Sequence, residues 1–61
     1  RVISYLKIGE NETIGVYLNC VEEDVTIECS EFSEVVYPRK WNKGEDGSGV
    51  LEKDGILIVR K

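Results

Sequence analysis

Two cysteines, Cys20 and Cys29, carry the thiol chemistry of this 61-residue chain, and no histidine accompanies them. Without imidazole, the commonest general base, the usual partner of a catalytic nucleophile and the commonest metal ligand are all missing. The eight residues between the two thiols match neither a redox pair nor the spacing of zinc ligands. Paired carboxylates could serve a hydrolase, but a chain this short has little room for a water-excluding cleft. The segment Gly44-Glu45-Asp46-Gly47-Ser48-Gly49 resembles a phosphate-binding glycine loop only in its glycines. It lacks the lysine, carries two carboxylates that repel phosphate, and precedes no helical pattern. Nor does it space its acids as an EF-hand loop does. The residues therefore predict no enzyme, no catalytic side chain, no cofactor and no metal.

Binding chemistry is better represented. Aromatic and basic side chains interleave in Tyr37-Pro38-Arg39-Lys40-Trp41-Asn42-Lys43, the mixture with which small barrels stack bases and pair phosphates. Against that use stands the formal net charge of −4, which repels a phosphate backbone. From Ile8 to Pro38 the chain holds Glu10, Glu12, Glu22, Glu23, Asp24, Glu28, Glu31 and Glu34 and no basic residue. Such a split can steer an encounter with a partner of opposite charge, or keep a small β-protein soluble with its edges unpaired. A second candidate surface is aromatic: the expected strand register sets Tyr5 directly across from Tyr17, on the face away from the core. An exposed aromatic pair anchors partners well.

The elements that must position these residues follow from period-2 alternation. Val2, Ser4, Leu6 and Ile8 share one face of a first strand over residues 2–8, and Ile14, Val16, Leu18 and Cys20 share one face of a second over 13–20. A turn near Asn11 sets Leu6 opposite Val16 and Ile8 opposite Ile14. A second turn through Val21–Asp24 sets Leu18 opposite Ile27 on a third strand at 25–30, giving a three-stranded meander with one apolar face. Further strands are expected at about 34–38, 49–52 and 56–60. The last two form a hairpin with a type I turn over Lys53 and Asp54 and Gly55 in the left-handed region. Phe32 plugs one end of the core, and Trp41 to Gly49 forms a mobile loop. In this register Cys20 and Cys29 lie about four residues out of alignment, roughly 13 Å at ~3.3 Å per residue, beyond disulfide reach. They are expected to be buried free thiols.

Together these features predict an all-β fold, a small antiparallel β-barrel or compact β-sandwich of five to six short strands, in a single domain spanning residues 1–61. The chain is either a whole protein or a module of a longer one. A core this thin, with the nearly unbroken apolar run Ile56–Val59, predicts a non-enzymatic protein–protein interaction or assembly module, a subunit of a homo-oligomer or of a larger structure such as a virion or surface appendage. The candidate partner-binding residues are Tyr5, Tyr17, Tyr37, Arg39, Lys40, Trp41 and Lys43. A binder of single-stranded nucleic acid or acidic peptide, and an acidic mimic of nucleic acid that blocks a basic protein, are the alternatives. No membrane insertion and no small-molecule substrate are expected. Free thiols favour a reducing compartment, whereas the sequon Asn11-Glu12-Thr13 at a hairpin tip fits an extracellular one.

Overall fold

The computed structural model describes residues 2–61 and contains five antiparallel strands: β1 Val2–Ile8, β2 Thr13–Asn19, β3 Val25–Glu28, β4 Glu34–Lys43 and β5 Ser48–Arg60. The organising element is β5. Its C-terminal half, Ile56–Arg60, lies between β2 and β4, and its N-terminal half lies between β3 and β4. Beyond β2 the sheet ends at β1.

Between its halves β5 turns sharply. Arg39 pairs with Ile56 and Trp41 with Leu51, so the four residues Glu52 to Gly55 stand opposite Lys40 alone. Both strands absorb the turn with a left-handed residue, Lys40 at φ 57° and Asp54 at φ 63°. A Cβ on Gly55 would lie 2.7 Å from both the Glu52 carbonyl oxygen and Leu51 Cδ1, so only glycine lets the chain pack this closely at the corner. The expected hairpin with its Lys53–Asp54 turn is therefore a single bent strand, and the left-handed residue is Asp54, not Gly55. The bend closes the sheet into a half-barrel.

The expected meander also breaks after two strands. β1 and β2 form the anticipated hairpin, closed by the Gly9 amide donating to the Glu12 carbonyl at 2.7 Å. β3 joins β5 instead of β2, and Asn19 supplies the reason. This side chain, 1% exposed, donates from Nδ2 to the carbonyls of Glu23 (3.0 Å) and Leu51 (2.8 Å), and its Oδ1 accepts from the Val21 amide (2.9 Å). It ties the 20–24 connection to the corner of β5 and delivers β3 to the other half of that strand. Lys53 reinforces the junction with an exposed ion pair to Glu22 at 2.8 Å.

The β1–β2 register differs by one residue from the alternation-based one. Tyr5 pairs with Val16 and Leu6 with Gly15, because Ile8 closes on Thr13. A slip of one reverses every side chain. Ile14, Val16 and Leu18 therefore point to the convex side, and β2 turns Gly15, Tyr17 and Asn19 towards the core. The core consists of buried Ile27, Leu51, Leu57 and Val59, flanked by Val2, Tyr17, Val25, Phe32 and Trp41. Burying each large aliphatic side chain contributes roughly 2 kcal/mol. Phe32 comes from the 29–33 connection to fill the space over Gly15, where a Cβ would lie 3.0 Å from its Cζ and 3.1 Å from Val59 Cγ2. Of the expected core residues Ile27 is buried, whereas Leu6 is 56% exposed.

Two further expectations change. β4 runs through Trp41 to Lys43, leaving only Gly44–Gly47 as connection. That turn is held by the Gly44 amide on the Ser48 carbonyl (2.7 Å) and by Asp46 Oδ1, which accepts from the Ser48 hydroxyl at 2.6 Å. Both cysteines are free, but Cys20 is exposed and Cys29 half-buried.

Candidate interaction surface

Because directly paired residues share a sheet face, the registers assemble the convex surface row by row. Tyr5, Val16, Ile58 and Tyr37 form one row across β1, β2, β5 and β4. Ile3, Leu18, Ile56 and Arg39 form the next. Seven of these eight side chains are apolar or aromatic. Strands about 4.8 Å apart make each row roughly 14 Å long, and the rows lie roughly 7 Å apart. Val16, Leu18, Ile56 and Ile58 are half-buried in the middle, while Ile3 (43%), Tyr5 (57%) and Tyr37 (46%) are open at the flanks.

Charge frames this strip. The third row is Lys7, Ile14, Arg60 and Glu34. Arg60 Nη2 donates to Glu34 Oε1 at 2.6 Å, and its Nη1 lies 3.9 Å from Glu12 Oε1. The Glu34 hydrogen bond, with the charges of Glu34 and Glu12, raises the already high pKa of Arg60. At the other end stand Glu52, Lys53 and Asp54, all exposed, with Asn42 Nδ2 donating to Glu52 Oε2 at 2.7 Å. The eight acidic residues between Ile8 and Pro38 are all exposed and none occupies either apolar row.

The sequence-derived candidates are redistributed. Tyr5 and Tyr17 are separated, Tyr5 on the convex face and Tyr17 against the core, paired with Ser4 and Leu57. The aromatic and basic segment is divided by the sheet. Tyr37 and Arg39 pair with Ile58 and Ile56 on the convex side, whereas Trp41 pairs with the buried Leu51 and Lys43 with Gly49 on the concave side. Exposed Lys40 sits at the corner in its left-handed conformation. No single surface presents all five residues.

On the concave side a cleft of about 220 Å³ opens between the 29–33 connection and β4, walled by Phe32, Val35, Trp41 and Val59 with Cys29 and Lys43 at its polar end. Burial pushes the Cys29 thiol above its ordinary pKa, against the pull of the Lys43 ammonium, and Glu28 adds to the rise. Burial, then Cys29 and Glu31, raises the Tyr17 phenol as well. A thiol shifted upward is less nucleophilic at neutral pH. The Trp41 Nε1 is buried without an acceptor among the described residues.

Alternation over single strands misses the convex strip because it is built from four strands. Gly15 in mid-strand was the available signal, since a strand glycine marks close approach of another group. Compared with known family models, with curated proteins and with solved structures, the chain matches none.

Proposed function

We propose that this chain is a non-enzymatic β-module that works by protein–protein contact, as a subunit of a homo-oligomer or of a larger assembly, with its convex sheet face as the contact surface. The observation that carries this reading is a sheet apolar on both sides. One face holds the chain's own core, and the other sets Ile3, Tyr5, Val16, Leu18, Ile56, Ile58 and Tyr37 side by side. Contiguous exposed apolar surface framed by charge is the physical mark of a contact site. Tyrosines at the flanks suit it, since they bury a large ring while keeping a hydroxyl for the rim.

The reading is tested with Tyr37→Glu, which places a charge on the strip at an exposed position. Sedimentation velocity up to 500 µM and matched pull-downs compare it with the wild type. Self-association, or retention of a partner, that is lost in Tyr37→Glu supports the contact role. A strict monomer whose pull-downs are the same with and without the substitution overturns it.

A further inference from the structure

Among the described residues the sheet has three free edges, and they are protected unequally. β4 carries Pro38, Arg39 and Lys40, two register shifts and a left-handed residue. β3 is four residues long, and its Thr26 and Glu28 are exposed. These are the devices by which natural sheets block edge-to-edge pairing. β1 has only one of them, the single charge of Lys7. It is seven residues in unbroken register with β2 and contains no proline, glycine or carboxylate. It also carries the most open aliphatic side chains among the described residues, Leu6 at 56% and Ile8 at 76%.

We propose that β1 is the edge through which two copies of this chain pair, antiparallel and centred on Tyr5, to make one continuous ten-stranded sheet. The proposal rests on the contact-module reading and narrows its partner to a second copy. Charge and symmetry favour that occupant. Two chains of net charge −4 repel, but along β1 neither brings a carboxylate. Centring on Tyr5, the midpoint of Val2–Ile8, pairs all seven residues with a like number and sets Lys7 opposite the partner copy's Ile3. The two lysines are then four residues apart along the strand, roughly 13 Å, and each lies diagonal to the other copy's Tyr5 ring, within reach of a cation–π contact. The Tyr5 rings meet on the convex side, so the row Tyr37–Ile58–Val16–Tyr5 continues into its symmetry mate. With one weakly protected edge per chain, pairing closes at two and does not propagate into a filament. A seven-residue edge is a small interface, so the association belongs to the weak class.

The test is site-directed cross-linking in the full chain with Cys20 and Cys29 replaced by serine. At 100 µM in a glutathione redox buffer, Tyr5→Cys is expected to form an intermolecular disulfide at least tenfold faster than Ile3→Cys. Opposed Cα atoms at position 5 lie within disulfide reach, whereas two copies of position 3 are offset by roughly 13 Å. Leu6→Lys, an edge guard at an exposed site, abolishes both the cross-link and the dimer seen by sedimentation, with its far-UV spectrum unchanged. Should Leu6→Lys fail to fold, Ser4→Lys takes its place. Equal rates at positions 3 and 5, or a wild type monomeric at 500 µM, overturn the edge pairing. A dimer that survives Leu6→Lys but is lost in Tyr37→Glu also overturns it and leaves the convex-face reading standing.

Discussion

Replacing Asn19 by alanine tests the claim that this side chain holds the bend together. The substitution removes three hydrogen bonds, two donated to the carbonyls of Glu23 and Leu51 and one accepted from the Val21 amide. Each contributes about 1 kcal/mol net, so the loss amounts to about 3 kcal/mol. A domain of this size has a total stability of roughly 3–9 kcal/mol. Urea unfolding followed by the fluorescence of Trp41, the sole tryptophan, is the assay. With a slope of about 1 kcal/mol per M for so small a chain, the midpoint is expected to fall by about 3 M. Asn19→Asp keeps the bond from the Val21 amide but turns a carboxylate towards two carbonyl oxygens, so at pH 7 it is no more stable than the alanine variant. A midpoint shift below about 0.5 M for Asn19→Ala would refute the reasoning, since the 20–24 connection would then be held by something else.

Three further outcomes follow from the same geometry. Gly55→Ala drives a Cβ to 2.7 Å from both the Glu52 carbonyl and the buried Leu51 and is expected to cost about 2 kcal/mol. Gly9→Ala, whose Cβ meets its nearest neighbour at 3.5 Å, stays within about 0.5 kcal/mol; thermal melts of the pair decide. Thiol labelling with a disulfide reagent at pH 7.5 should be biphasic, with exposed Cys20 reacting first. Because the Lys43 ammonium holds the Cys29 pKa down against burial, Lys43→Gln slows the second phase further. Hydrogen bonds from Ser48 hold the Asp46 carboxyl below its usual pKa, so their contribution is present above the unfolded value, about 3.9, and is lost as pH falls through the folded one. Ser48→Ala should therefore raise the Asp46 titration midpoint in carbon-detected NMR, and its small stability difference from wild type should vanish in acid.

The positions of the first three strands were legible in the sequence because β-rich, alternating segments separated by Gly, Asn and acidic turns leave few other conformations. The expected first strand coincides with Val2–Ile8, and the second differs from Thr13–Asn19 by one residue. Register was not legible, because β2 has an apolar set on one face and Gly15, Tyr17 and Asn19 on the other. Alternation weighs each side chain by its own hydrophobicity and chooses Ile14, Val16 and Leu18. The core took the opposite face because Phe32, from another part of the chain, fills the space over Gly15. The bend in β5 was hidden for a related reason. Glu52-Lys53-Asp54-Gly55 carries the chemistry of a tight turn, and a corner shared with Lys40 of β4 uses the same residues. The registers also redistributed the candidate residues. A one-residue slip separated Tyr5 from Tyr17, and the sheet divided the 37–43 segment. Tyr5 and Tyr37 both lie on the convex strip, brought into one row by Val16 and Ile58, a juxtaposition visible only once the order β1-β2-β5-β4 is known.

The contact role of the convex face is tested most directly by methyl NMR of the intact chain from 20 µM to 1 mM. The methyl resonances of Ile3, Val16, Ile56 and Ile58 should move with concentration, or on addition of a partner retained in the pull-downs, while those of the buried Leu51, Leu57 and Val59 stay fixed. Inner-face methyls that move while the outer ones stay still, or an outer set that responds to neither, would contradict the account.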